Sequence, residues 1–377
     1  MLPLVALALP ALADDEAPIK IGATLELNYT FNGNAPGSDN TAVGYTAASG
    51  NRNGYYFNRK EGVIGLNMAE LSLTKEATPK SRVGFAVRFV DGEVAKMLAA
   101  NTETINAAAR SRAVGNIVSS SVVNLYEASV RSLLTEKLTL DAGIFPTWVG
   151  YETIPTGTSS FFSKSFHFGQ YQPFYHAGVK ATYASDAKTS ITGAVVNAYN
   201  GTDRSSVSRD LGLGFQVAHS MSESAKVYVN GLTARDVGLG GTKHDIFNVV
   251  YTNQLNEQNG VALDASYVTS GPSGGRTKSY GYTGYLTHTL GNGNVVGLRG
   301  EYLNEDRVGG NLLAFGGAKK PSLNSITASY ELKNEALKGM RTLFEVRFDS
   351  ANSAIFPTKT GAKKNQTTVS LAQIVSF

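Results

Sequence analysis

The spacing between the alternating segments of this chain limits its possible folds more than the segments themselves do. Short connections fall near 185–188, 220–224, 255–259, 291–293 and 333–339, and longer ones near 200–208, 236–243, 270–278, 305–321 and 350–365. The first half keeps the same rhythm. A Gly/Asn/Ser-rich stretch from 32 to 62, then 91–121 and 145–174, are long; Lys75–Ser81 and 132–136 are short. Counting from Ile19, this gives about sixteen strands, with tight turns and both termini on one side and long loops on the other. Soluble sandwiches also carry many alternating strands but need no systematic asymmetry of their loops. A transmembrane strand takes about 9–11 residues, the length most of these segments have. The expected fold is therefore all-β: a transmembrane antiparallel up-and-down β-barrel of about sixteen strands. The 31–62, 92–121 and 145–174 connections are expected on the extracellular side.

Each strand has two unlike faces, because successive strand side chains point to opposite sides. Ile19, Ile21, Ala23, Leu25, Leu27, Tyr29 and Phe31 alternate with Lys20, Gly22, Thr24, Glu26, Asn28 and Thr30. Val63–Thr74 alternates imperfectly, as a bulge near Asn67 would make it do. Val83, Phe85, Val87 and Phe89 alternate with Arg82, Gly84, Ala86 and Arg88, and strands follow at 122–131, 137–144 and 175–185. The remaining strands are expected near 189–199, 209–219, 225–235, 244–254, 260–269, 279–290, 294–304, 322–332, 340–349 and 366–377. The charged residues collect on one face: Lys20, Glu26, Arg82, Arg88, Glu127, Arg131, Asp141, Lys180, Asp210, Lys226, Asp264, Arg299, Glu301, Arg341, Glu345 and Arg347. In a sixteen-strand barrel that face encloses water and the apolar face meets lipid. Tyr29, Phe31, Tyr175, Tyr183, Tyr267, Tyr280, Tyr282, Phe344 and Phe348 stand near strand ends, where aromatic girdles form.

Composition narrows the function classes. The 377 residues include no Cys, which excludes a disulfide framework, a thiolate nucleophile and a Cys-based metal site. The formal net charge of +4 is spread along the chain, so no nucleic-acid footprint is present. No apolar run is long enough for a transmembrane helix. Met1–Ala13 holds Leu2, Leu4, Val5, Leu7, Leu9 and Leu12 and closes on Ala11-Leu12-Ala13 before Asp14-Asp15-Glu16. This is the core and cleavage site of a secretory signal lacking its positive n-region. The expected organisation is a truncated signal remnant at 1–13 and a single barrel over 14–377.

The connection from Phe145 to Phe174 stands out. It carries Trp148 (the only Trp), Tyr151, Phe161, Phe162, Phe166, Phe168 and Tyr171. Disordered segments are poor in aromatics, and ordered loops of this length are usually functional. The chain then stops on Thr367, Val369, Leu371, Gln373, Val375 and Phe377, an alternating strand with a terminal Phe, as in the last strand of bacterial outer-membrane proteins. Three further segments carry a resemblance. They are Tyr126-Glu127-Ala128-Ser129-Val130, the run from Leu140 through Gly143-Ile144-Phe145 and Trp148 to Gly150-Tyr151-Glu152, and Pro173-Phe174-Tyr175-His176-Ala177-Gly178-Val179-Lys180. Together with Asn67-Met68-Ala69-Glu70-Leu71, the chain resembles the β-barrel porin-2 (OmpL-like) family. That family tends to end a strand in Gly-x-Phe-x-x-x-x-Gly-x-Glu and, after a loop, to start the next with His-x-Gly-Val. The resemblance covers nearly the whole mature chain. It implies a channel in the bacterial outer membrane, with outer-membrane lipid and small hydrophilic solutes or ions as partners, no nucleic acid, no cofactor, no metal and no catalytic role. By analogy with general porins of this strand number, it implies a homo-trimer.

Sixteen-strand porins fold the loop after the fifth strand into the lumen. By that analogy the 145–174 connection is expected to narrow the pore, with Glu152 and Lys164 as its only charges. Arg82, Arg88, Arg131, Glu127, Asp141, Glu152, Lys164 and Lys180 are the candidate lining residues. Arg82, Arg88 and Arg131 can face the loop across the opening, where charges focus the field between low-dielectric walls. Equally, they can pair along the wall with Glu26, Glu127 or Asp141. His167, His176, His219, His244 and His288 lie in different elements without metal spacing, and no nucleophile elbow is present. An outer-membrane adhesin or structural barrel, and an outer-membrane hydrolase, remain the alternative readings.

Overall fold

The computed structural model describes residues 17–35, 55, 57–58, 60–102, 124–157, 159–202, 210–236, 242–271, 275–306, 320–333 and 337–377. The expected signal remnant, most of the 31–62 loop and residues 103–121 lie outside the described residues. Sixteen strands form a closed barrel: β1 (Ile19–Asn32), β2 (Ile64–Lys75), β3 (Val83–Asp91), β4 (Asn124–Leu133), β5 (Leu138–Pro146), β6 (Tyr175–Ala184), β7 (Thr189–Val196), β8 (Gly212–Ser220), β9 (Ala225–Asp236), β10 (Thr242–Gln254), β11 (Asn259–Ser270), β12 (Thr277–Thr289), β13 (Val295–Glu305), β14 (Ser322–Lys333), β15 (Met340–Ala351) and β18 (Asn365–Ser376). Every strand pairs antiparallel with its sequence neighbour, and β1 closes the ring against β18, with Leu25 opposite Val375. Closure leaves no strand edge unpaired, the condition for a sheet to sit in hydrocarbon. A small hairpin of β16 (Phe356–Pro357) and β17 (Ala362–Lys363) fills the connection before β18.

The faces are as the alternation requires. Leu25, Leu27, Tyr29, Leu263, Ile326, Phe344 and Val346 are exposed, while Glu26, Thr30, Asp264, Thr327, Glu345 and Arg347 are buried. Glu26 pairs with Met68 and Leu27 with Leu66, so Asn67 is the extra residue of a bulge. A second bulge, between Arg88 and Phe89, frees Tyr126.

Two expectations need correction. Tyr175 does not join the outer girdle: its ring is buried against Tyr126 at 6.1 Å, and its hydroxyl donates to the Leu98 carbonyl at 3.3 Å. Strand β7 stops at Val196 rather than near 199, and β8 begins at Gly212 rather than near 209. The chain turns there because Tyr199 N–H donates to the Arg235 carbonyl, and Asn197 Nδ2 to that of Thr202. The connection after β3 opens with a helix, α1 (Glu93–Thr102). Val94, Ala95 and Leu98 of α1 pack with Met68, Val90 and Tyr126, at the end of the barrel where the long connections emerge.

Candidate functional site

Between β5 and β6 the chain runs along the inner wall. Its backbone must find partners there, because a buried N–H left unpaired costs about as much as a lost hydrogen bond. The wall supplies carboxylates. Tyr151 N–H donates to Asp264 (2.9 Å), Thr156 N–H to Glu26 (2.7 Å), Phe162 and Ser163 N–H to Glu345 (3.1 and 3.2 Å), and Phe166 and His167 N–H to Glu301 (2.6 and 3.3 Å). Gly150 N–H donates to Asn248 Oδ1 at 3.2 Å, and Ser160 Oγ to Glu331 at 3.1 Å. The acceptors stand on β1, β10, β11, β13, β14 and β15, so one segment is tied across much of the ring.

Arginines hold its carbonyls. Arg299 donates to the Ser163 carbonyl (2.5 Å), Ser163 Oγ (3.0 Å), Thr327 (3.1 Å) and Glu152 (3.1 Å). Arg347 reaches the Lys164 carbonyl, Glu301 and Asp349, each at 2.8 Å, with Tyr55 and Phe166 over its guanidinium at 4.3 and 4.4 Å. Arg341 donates to the carbonyls of Gly157 and Ser159 and pairs with Glu331 at 2.8 Å. A planar fork of five donors suits this work, bridging carboxylate and carbonyl at once. Arg299 and Arg347 are fully buried, a state that charges tolerate only when paired and hydrogen-bonded.

Within the loop, α2 (Phe166–Tyr171) is capped by Ser165, whose Oγ accepts from Phe168 N–H at 3.0 Å. Inward-facing glycines of the wall make room for its rings. The Trp148 indole lies over Gly214 and donates to the Phe215 carbonyl at 3.1 Å, and His167 lies over Gly281. A Cβ at either glycine would collide with the ring. Gly281→Val should therefore lift α2 from the wall while leaving the strand ladder paired. The expected result is faster cleavage within 147–174 by an added protease at unchanged barrel unfolding temperature; equal cleavage rates would rule this seating out.

The residues expected to line a pore fall in three places. Arg88, Glu127, Arg131, Asp141 and Lys180 come together on the inner face of β3–β6. Arg131 pairs with Asp141 through Nε (2.6 Å) and Nη2 (3.1 Å), Lys180 lies 3.7 Å from Asp141, and Arg88 Nε lies 2.8 Å from Glu127. Wall pairing is thus what Arg88 and Arg131 do, though Glu26 pairs with no arginine among the described residues and instead holds Asn67 and Thr156. Arg82 stands at the short-turn end, 3.4 Å from the Leu134 carbonyl, and is not part of the cluster. Glu152 and Lys164, expected at the opening, are instead buried within the loop and its anchors. Glu152 is turned there by Arg299, Tyr285 and Ser165 (3.1, 3.0 and 2.9 Å), and Lys164 Nζ lies 3.5 Å from the Pro155 carbonyl. The anchoring residues Arg299, Glu301, Arg341, Glu345 and Arg347 were placed on the polar face by sequence but not singled out. Their signal is Arg299-x-Glu301 and Glu345-x-Arg347-x-Asp349, ionic partners two apart on one strand face.

A closed barrel with an apolar exterior, a charged interior and a connection folded along its inner wall has the build of an outer-membrane channel of the porin class. The chain belongs to the β-barrel porin-2, OmpL-like family, whose profile matches residues 18–377. Solved structures share the fold at low identity. OmpT of Vibrio cholerae in its trimer form is 10% identical with a TM-score of 0.60, over 96% of this chain and 100% of that one. The anion-selective porin of Comamonas acidovorans gives the same four values. The outer-membrane channel DcaP of Acinetobacter baumannii is 10% identical with a TM-score of 0.56, over 97% and 99%. A search of the curated proteins finds no match.

Proposed function

We propose that the protein is a passive porin of the bacterial outer membrane, passing small hydrophilic solutes and ions through a water-filled lumen. One observation carries this reading. Arg131 projects inward from β4 of a closed barrel, two residues from the short-turn end of the strand, and its side chain keeps 51% of its accessible surface. An ionised guanidinium at that exposure is in contact with water, so water occupies the space beside β3–β6. The loop takes its wall anchors from β1, β8 and β10–β15, and is the narrowing element in this reading. The long connections face the cell exterior and the short turns the periplasm.

Purified protein added to a planar lipid bilayer should give stepwise, ohmic conductance that persists without any energy source. Barrels that insert but stay silent would overturn the reading. A trimer is proposed as well, as in the trimer form of the Vibrio OmpT structure. A native mass of three copies in mild detergent supports it, and a one-copy mass removes it.

A further inference from the structure

The ion pairs of the inner wall on β3–β6 are unevenly exposed. Arg88 shows 35% of its side chain, while its partners Glu70 and Glu127 show 8% and 12%. Arg131 shows 51% and Lys180 19%, both above Asp141 at 6%. The acids lie against the strands and the cations lie over them, so a cluster of three positive and three negative groups presents its positive ends to the water. Arg131 uses Nε and Nη2 on Asp141, which leaves Nη1 directed elsewhere. Lys180 is steadied by the Phe145 ring, 4.9 Å from its Nζ.

Nothing on the loop answers these cations. Its two charges, Glu152 and Lys164, are buried, and the side chains it leaves exposed beyond Trp148 include Tyr151 and Thr153, which carry no charge. The water beside β3–β6 is therefore bounded by a positive wall and a neutral edge. In a narrow space between low-dielectric walls such a field is focused and concentrates ions of the opposite sign. Guanidinium groups with an unfilled edge also match the planar geometry of a carboxylate.

We infer that the channel prefers anions, and that Arg88, Arg131 and Lys180 form a shallow docking site for small carboxylate solutes on their way through. The inference rests on the porin reading and names its solute class. In a potassium chloride gradient across a planar bilayer, the wild-type reversal potential should report chloride more permeant than potassium. Millimolar citrate, the carboxylate probe, should reduce the chloride current. The triple variant Arg88→Gln/Arg131→Gln/Lys180→Met should bring the permeability ratio to one or below and lose the citrate effect. Arg88→Lys/Arg131→Lys, which keeps the charge and removes the planar forks, should keep the chloride preference but weaken the response to citrate. A wild-type channel that prefers potassium, or a conducting triple variant with the wild-type ratio, overturns the inference and leaves the porin reading standing. Absence of any conductance overturns the porin reading and this inference with it.

Discussion

Arg347→Ala is expected to free the lumenal loop and give a larger, noisier conductance than any other single change in the barrel. The guanidinium is fully buried and serves five groups at once: the Lys164 carbonyl, Glu301, Asp349, and the neighbouring rings of Tyr55 and Phe166. Its loss leaves Asp349 without its cation and Glu301 with one of its two. Breaking a buried pair from one side costs about 3–5 kcal/mol, because the remaining charge stays desolvated. Glu301 then holds the Phe166 and His167 N–H groups with only Arg299, 4.0 Å away, as counter-charge, so the strain falls on the loop. The ladder of β15 is unaffected, since its backbone pairs with β14 and β18 along its whole length. Barrel closure should survive while the transition that reports the interior moves to lower temperature. Arg341→Ala should do less, because Arg341 is 17% exposed and water can replace part of what it gives. The triple change Glu301→Gln/Arg347→Met/Asp349→Asn should recover much of the loss, as removing every partner of a buried ion cluster is far milder than removing one. Single-channel traces and thermal unfolding of the folded variants test this. An Arg347→Ala channel with wild-type conductance and stability would show that the guanidinium does not hold the loop.

The strands were legible because a barrel wall has one solvent outside and another inside. Period-two alternation therefore survives in nearly every segment, and the slip at Asn67 registers as a break in it. The rhythm of turn lengths carried the topology, including the meeting of Ile19-side and Phe377-side strands. The course of the loop was legible only by analogy. Its partners lie far away in sequence: Thr156 meets Glu26, Phe162 meets Glu345, and Phe166 meets Glu301. The contacts are backbone N–H groups on carboxylates, which leave no mark on the loop's own side chains. Glu152 and Lys164 misled because a loop charge ordinarily seeks water. Here Arg299 offers Glu152 a buried partner, and nothing near residue 152 in the sequence announces it. Tyr175 misled for a related reason. At the first residue of a strand the alternation has not yet been fixed by pairing on both sides, and the Leu98 carbonyl of α1 claims the hydroxyl.

Replacing Thr153–Phe168 by a short Gly/Ser linker should raise conductance severalfold and also move selectivity toward cations. The first effect follows from removing the stretch that crosses to β1, β14 and β15; the remaining anchors, from Trp148, Gly150, Tyr151, Glu152, Tyr171 and Gln172, reach β8 and β10–β13. The second follows from what the stretch now covers. Glu26, Glu301, Glu331, Glu345 and Asp349 would face water with Arg299, Arg341 and Arg347, five carboxylates against three guanidiniums. Several of those carboxylates would have lost the N–H groups they accept, and the net field on that side of the lumen turns negative. A wider pore also weakens the positive wall of β3–β6, since screening over about 8–10 Å at ordinary salt removes its reach. The two measurements separate the causes: conductance reads the width, and the reversal potential reads the uncovered charge. Larger conductance with unchanged chloride preference would mean that the β3–β6 wall alone sets selectivity. Unchanged conductance in properly folded barrels would mean that the narrowest point lies elsewhere. The 92–121 connection, which begins with α1 packed on Met68, Val90 and Tyr126, would then be the segment to shorten next.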